Sequence, residues 1–247
     1  TKAYIRSLPH HVLAVASQDV FCPPCWIDSL MFKRIAQTAG FAGLLAAIVL
    51  HKLTYPMSTG GGTWPVLFYV FYASMFVFAA WLLASNLKLW WFAAGTGLTL
   101  FAAGMANSFA PSSMAALMVY LTSIAYHSVI ITVLARYTLS SRKVMIEVLL
   151  AATSLYLIIG SIFAAIFGLI VWFEPGALVS SLGQPVHWQQ LLRYSYIAMT
   201  TVGYGDILPT SFLAQSFAAF EATIGTLHSV RLLSRLVGMH AGGGDAS

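Results

Sequence analysis

Six long apolar stretches run through this 247-residue chain and constrain its fold more than any other feature. Each approaches or exceeds the roughly 20 residues that an α-helix needs to cross the hydrocarbon core of a bilayer. They lie at about 35–51, 64–84, 89–109, 113–135, 145–173 and 210–238. Because they are continuous rather than short and alternating, they predict helices and exclude a closed β-barrel. The predicted fold class is an all-α membrane protein with six transmembrane helices.

The composition agrees with a bilayer environment. Hydrophobic residues make up 59% of the chain and charged residues only 8%, whereas soluble domains carry about 25% charged residues. The net charge of +5 does not indicate nucleic acid, because the Lys and Arg residues are scattered near the ends of apolar stretches rather than clustered. The predicted partner is therefore the lipid bilayer, with no nucleic acid.

The basic residues also predict the orientation, since Lys and Arg are retained on the cytoplasmic side. With the N-terminus inside, only Lys52 and Arg193 lie outside. The cytoplasmic Lys and Arg residues are Lys2, Arg6, Lys33, Arg34, Lys88, Arg136, Arg142, Lys143, Arg231 and Arg235. We therefore expect a multi-pass protein of the plasma membrane with both termini in the cytoplasm.

Two cysteines, Cys22 and Cys25, flank a pair of prolines near the N-terminus. A lone C-x-x-C without a second ligand pair is weak evidence for a zinc or redox site. Two reduced thiols in a proline turn are the simpler interpretation, and no cofactor is predicted. Residues 1–30 show no cleavable signal peptide, so the first span is expected to direct membrane insertion.

The segment between the fifth and sixth apolar stretches is too polar to span a membrane and too long for a simple turn. His187–Met199 suits a short half-helix that dips into the membrane. The sequence Thr200-Thr201-Val202-Gly203-Tyr204-Gly205-Asp206 follows directly. Gly203 and Gly205 permit backbone angles that a residue with a Cβ atom resists.

This seven-residue segment resembles the selectivity filter of the potassium channel family, and the resemblance covers about residues 145–238. It implies an outer helix, a re-entrant pore helix, a filter and an inner helix that conduct K⁺ passively. The implied ion-binding residues are Thr201, Val202, Gly203, Tyr204 and Gly205, with K⁺ held at the first four and with Thr200 and Asp206 as filter support. One filter segment per chain predicts a homotetramer around a central pore.

The resemblance assigns further roles to the inner helix. Gly225 lies where the family often has a glycine on which the helix bends, although close helix packing explains it equally well. Independently of the resemblance, an acid inside a predicted span indicates a functional role, so Glu221 is a possible modulator that either braces the pore helix or attracts cations. The residues predicted to line a water-filled cavity are Ala222, Thr226, Ser229 and Leu233.

The chain also departs from the family. The fourth span carries no Lys or Arg between 113 and 135, so strong voltage sensing is not expected, and His127 is predicted to be a packing residue. Many channels have a tryptophan pair in the pore helix and a carboxylate behind the filter, and the equivalent places here hold Arg193-Tyr194 and Ile197. Arg193 is expected to pair with Asp206 of a neighbouring pore loop.

The predicted organisation has four parts. They are a cytoplasmic segment at 1–34, a four-helix voltage-sensor-like domain at 35–135, a pore domain at 145–238 and a short cytoplasmic tail at 239–247. The alternative function is a non-conducting or regulatory channel-like membrane subunit, which the altered pore helix motivates. An enzyme is not predicted, because Ser161 and His127 form no recognisable catalytic motif.

Overall fold

The computed structural model describes residues 23–54, 64–82, 87–141, 145–184 and 186–242. This part of the chain contains seven helices and one pair of short strands. The helices are α1 (Pro23–Leu53), α2 (Trp64–Leu82), α3 (Leu87–Phe109), α4 (Ser113–Ser140), α5 (Ile146–Phe173), α6 (Trp188–Met199) and α7 (Phe212–Gly242), and the strands are β1 (Leu178–Ser180) and β2 (Ile207–Pro209). Cys22 and the side chain of Cys25 lie outside the described residues.

Six of these helices coincide with the predicted apolar stretches. Within the described residues, four segments are long and apolar enough to cross a membrane: Ile35–Leu53, Leu87–Ser108, Ser113–Ser140 and Ile146–Phe173. α2 contributes a shorter apolar segment, Val70–Ala79, and α7 includes Glu221, Arg231 and Arg235. Several apolar helices thus support a membrane protein.

Three helices continue beyond the apolar stretches that predicted them. α1 begins at Pro23, inside the segment predicted as a separate N-terminal part. α4 extends past 135 to Ser140. α7 ends at Gly242, so the predicted tail begins as helix. Apolar side chains are needed only where a helix crosses the hydrocarbon core of the bilayer. The backbone hydrogen bonds of a helix also form outside that core, so a helix can continue into a polar sequence.

α5 is the central helix of the larger of two compact units, Thr38–Ser247; the other unit is Thr1–Gln37. Inside the described chain 67% of the α5 span is buried, against 17–33% for the other three candidate spans. One end of α5 joins a core with α1 to α4, which includes Leu44, Met75, Leu100, Tyr126, Ile130 and Ile158. The other end joins a second core with both strands, α6 and α7, which includes Phe163, Phe167, Leu178, Leu191, Tyr194, Ile207 and Ala214. α5 thereby links the first four helices to the elements that hold the predicted filter.

Candidate functional site

A strand pair closes the loop that contains the predicted filter. β1 and β2 pair antiparallel, with Leu178 opposite Pro209 and Ser180 opposite Ile207. Next to this pair, the Thr210 N–H donates to the Ala177 carbonyl at 2.9 Å. The two ends of the loop 181–206 therefore lie next to each other.

The short helix predicted at His187–Met199 is confirmed as α6, which runs from Trp188 to Met199. Its N-terminus is capped, because the His187 N–H donates to Gln190 Oε1 at 2.8 Å. Its buried face includes Leu191, Tyr194 and Ser195, and the Tyr194 ring lies 5.1 Å from the Phe167 ring of α5. α6 ends at Met199, and the segment Thr200–Asp206, here termed the filter segment after the resemblance, follows directly.

In the segment Thr200–Asp206, the φ angle is positive at every second residue from Thr201 to Gly205. Thr201, Gly203 and Gly205 have φ values of +59°, +55° and +74°, whereas Val202 and Tyr204 are not in the positive-φ region. A β-branched residue at positive φ is a genuine outlier that costs about 1–3 kcal/mol. The prediction for the two glycines is confirmed, and sequence reasoning missed the third position, Thr201.

The N–H groups of this segment point back to α6. Thr201 donates to the Ala198 carbonyl at 3.0 Å, and Val202 and Gly203 donate to the Ile197 carbonyl at 3.0 and 3.4 Å. In the described part of the chain, no hydrogen bond reaches the carbonyl oxygens of Thr201, Val202, Gly203 and Tyr204. Since backbone carbonyls are strong, obligatory acceptors, these four oxygens remain available to a ligand.

Two large side chains of this segment are exposed in the single chain. Val202 is 54% exposed and Tyr204 is 71% exposed. With Arg193, Tyr196 and other residues they border a groove of about 340 Å³. Two large side chains are thus left on a surface beside the filter backbone.

Arg193 and Asp206 form an ion pair within one chain. The expectation that Arg193 pairs with a neighbouring loop is therefore wrong, because α6 and the end of the filter lie side by side in the same chain. The Asp206 carbonyl also accepts from the Ser181 N–H at 2.8 Å. Asp206 thereby ties the end of the filter segment both to α6 and to the loop after β1.

Glu221 is completely buried and faces α6. Its Oε1 atom accepts a hydrogen bond from the Ser195 hydroxyl, which also donates to the Gly160 carbonyl of α5 at 2.6 Å. Its Oε2 atom has no hydrogen-bond partner among the described residues. This position supports bracing of α6 rather than attraction of cations. Sequence reasoning assigned no role to Ser195, whose only signal was a small hydroxyl side chain between Tyr194 and Tyr196 of α6.

Gly225 lies against the last residue of α6. A Cβ atom placed on Gly225 would overlap the backbone oxygen of Met199. Close approach of α7 to the start of the filter therefore accounts for glycine at this position, while a bending role stays a prediction.

The predicted cavity-lining residues occupy the same helix. In the single chain Ala222 is half-buried, and Thr226, Ser229 and Leu233 are exposed. The hydroxyls of Thr226 and Ser229 donate to carbonyls one turn earlier in α7, each at 2.9 Å. These hydroxyls are thus satisfied within their own helix, and the surface that they share remains open.

Lys52 contacts both α5 and α6. Sequence reasoning missed these contacts. Its Nζ atom donates to Ser161 Oγ on α5 at 2.7 Å and lies 5.2 Å from the centre of the Tyr196 ring on α6. The Tyr196 hydroxyl is 3.2 Å from Ser161 Oγ and donates to the Leu157 carbonyl at 2.5 Å. A residue predicted only as an orientation signal thus connects α1, α5 and α6.

Residues 144–239 match a protein family described as Ion channel. The matched region coincides with α5, α6, the filter segment and most of α7. Comparison with curated proteins and with solved structures gave no match. The match and the apolar helices support an ion channel function, in a membrane protein, for this part of the chain.

Proposed function

We propose that the chain is one subunit of a homotetrameric, potassium-selective channel that conducts K⁺ passively. The observation that carries the proposal is the filter backbone, in which four consecutive carbonyl oxygens accept no hydrogen bond among the described residues. A K⁺ ion must lose its hydration shell to pass a narrow pore, and a ring of carbonyl oxygens can replace that water. Thr201, Val202, Gly203 and Tyr204 would supply these oxygens, and Gly205 and the ion-paired Asp206 would hold the end of the segment.

The exposed surfaces support an assembly around this segment. Irregular backbone at membrane depth is tolerated only where protein buries it or where it lines water. Val202 and Tyr204 are largely exposed in one chain, as are apolar side chains along α7: Phe212, Phe220, Leu227, Leu233 and Val237. Four copies around one axis would cover part of this surface and would complete a ring from the single filter segment of each chain.

The remaining roles follow from this arrangement. Six helices would cross the plasma membrane with both termini in the cytoplasm, and Ala222, Thr226, Ser229 and Leu233 would face the cavity below the filter. Glu221 would brace α6 through Ser195. Opening would depend little on voltage, because α4 has no Lys or Arg before Arg136.

Cation flux from liposomes that contain the purified protein tests the proposal. We expect K⁺ efflux to exceed Na⁺ efflux and to be lost in Gly203→Ala, because alanine resists the φ of +55° at this position. Gly95→Ala is the matched control, since open space surrounds Gly95. Equal K⁺ and Na⁺ efflux would overturn the proposed selectivity. An intact tetramer without any flux would favour the non-conducting or regulatory subunit.

A further inference from the structure

A second cavity lies among α1 to α5 and the start of α6, and it shares Lys52 and Leu192 with the groove beside Val202 and Tyr204. Its volume is about 300 Å³, at the lower end of the range of about 300–1,000 Å³ that small-molecule sites occupy. Exposed residues such as Ser108 and His187 line one part of it, so the cavity reaches the surface there. Its lining combines apolar side chains such as Met75 and Leu100 with hydroxyl and amide groups. This mixture is typical of sites for small organic molecules.

The cavity is lined by basic groups and by no carboxylate among the described residues. Its basic residues are Lys52, His51, His127 and His187, and Tyr72 and Tyr120 add neutral phenol groups. The described acids lie elsewhere: Glu147 accepts from Thr38, Glu174 is exposed after α5, Asp206 pairs with Arg193, and Glu221 contacts Ser195. The connecting segments 55–63 and 83–86 contain no Asp or Glu in the sequence. Within the described chain, Lys52 therefore has no carboxylate partner.

The surroundings of Lys52 offer dipoles rather than an opposite charge. Its Nζ atom donates to the Ser161 hydroxyl and faces the Tyr196 ring. A partly buried ammonium group gains less from a hydroxyl or a ring face than from a fully charged partner. An anion that enters the cavity would supply this missing charge.

We propose that this cavity binds a small organic monocarboxylate, with the carboxylate on the Lys52 ammonium group and the apolar body near Met75 and Leu100. A single ammonium group matches a single negative charge. The apolar part of the lining favours an organic body over an inorganic anion such as chloride. The proposal goes beyond ion conduction, and binding can be measured without any flux.

Fluorine NMR on the full-length protein in detergent micelles tests this site, with 4-fluorobenzoate as the probe. We expect saturable line broadening in the wild-type protein and binding at least tenfold weaker in Lys52→Met. Lys88→Met is the matched control, because Lys88 is exposed at the start of α3 and does not line the cavity. The uncharged probe 4-fluorobenzyl alcohol should bind at least tenfold more weakly than the carboxylate, and chloride should compete only weakly.

A second variant keeps the proposal testable if Lys52→Met does not fold. Ala165 is buried and lines the same cavity, so Ala165→Leu should fill part of the space and weaken 4-fluorobenzoate binding while Lys52 is retained. Loss of binding in Ala165→Leu with retention in Lys88→Met supports the site. Absence of saturable binding by the wild-type protein, unchanged binding in Lys52→Met or Ala165→Leu, or equal affinity for the alcohol or for chloride would overturn it.

Discussion

The carboxyl group of Glu221 on α7 accepts a hydrogen bond from the hydroxyl of Ser195 on α6. Neither side chain is exposed to solvent, and the same hydroxyl donates to the Gly160 carbonyl of α5. One serine therefore connects the three helices next to the start of the predicted filter. Because a hydroxyl has one proton, the two acceptors share it, and the position of α6 depends on both.

Replacement of Glu221 should destabilise the protein. Glu221→Ala leaves a cavity and removes a hydrogen-bond partner of buried Ser195, so we expect the free energy of unfolding to fall by about 2–4 kcal/mol. Glu221→Gln keeps the shape and one acceptor oxygen and should lose less. Equilibrium unfolding in mixed detergent micelles measures both variants.

The matched control for this prediction is Glu174→Ala, because Glu174 is exposed at the end of α5. An exposed substitution of this kind usually changes stability by no more than about 0.5 kcal/mol. A Glu221→Ala protein as stable as the Glu174→Ala protein would contradict the bracing role.

Gly225→Ala should also be destabilising, for a steric reason. The new Cβ atom would overlap the Met199 backbone oxygen, and a backbone atom cannot move aside as the end of a side chain can. Overpacking of this kind costs about 1–3 kcal/mol. Gly95→Ala in α3, which has open space around it, should instead be neutral or stabilising by up to about 1 kcal/mol.

The same variant separates packing from bending at Gly225. If close approach to Met199 is the reason for glycine, thermal stability and K⁺ flux should fall together. A Gly225→Ala protein with wild-type stability and altered flux alone would favour a helix hinge.

The pair Arg193 and Asp206 should contribute little to stability. Both side chains are substantially exposed, at 41% and 36%, and exposed ion pairs typically contribute about 0.2–1 kcal/mol. A double-mutant cycle with Arg193→Gln and Asp206→Asn should give a coupling energy in that range that shrinks at high salt. A coupling that is larger and independent of salt would show that the pair is shielded from solvent in the assembled protein.

The parts of the fold that were predictable from sequence follow from local rules. Long apolar stretches marked the helices because lipid requires them, and the position of α6 followed from a short amphipathic segment before the glycines. The φ angles of Gly203 and Gly205 were predictable because glycine is the residue that adopts them freely. The helix ends were not predictable, because α1, α4 and α7 continue into sequence where no apolar side chain is needed.

The contacts around the filter were not predictable in the same way. Ser195 and Glu221 are 26 residues apart in sequence, and Lys52 and Ser161 are 109 apart. No periodicity links such residues, because their contact depends on how α1, α5, α6 and α7 pack. The positive φ of Thr201 was not predictable for a related reason. Thr201, Val202 and Gly203 all donate hydrogen bonds to the end of α6, and these contacts oppose the conformational preference of threonine.

The most direct test of the central claim is the reversal potential of currents in planar bilayers with K⁺ on one side and Na⁺ on the other. The carbonyl filter predicts a reversal potential displaced from zero in the direction that marks K⁺ as the more permeant ion, and loss of this current in Gly203→Ala. A current that reverses near zero, or that persists unchanged in Gly203→Ala, would contradict a potassium-selective filter at Thr201–Gly205.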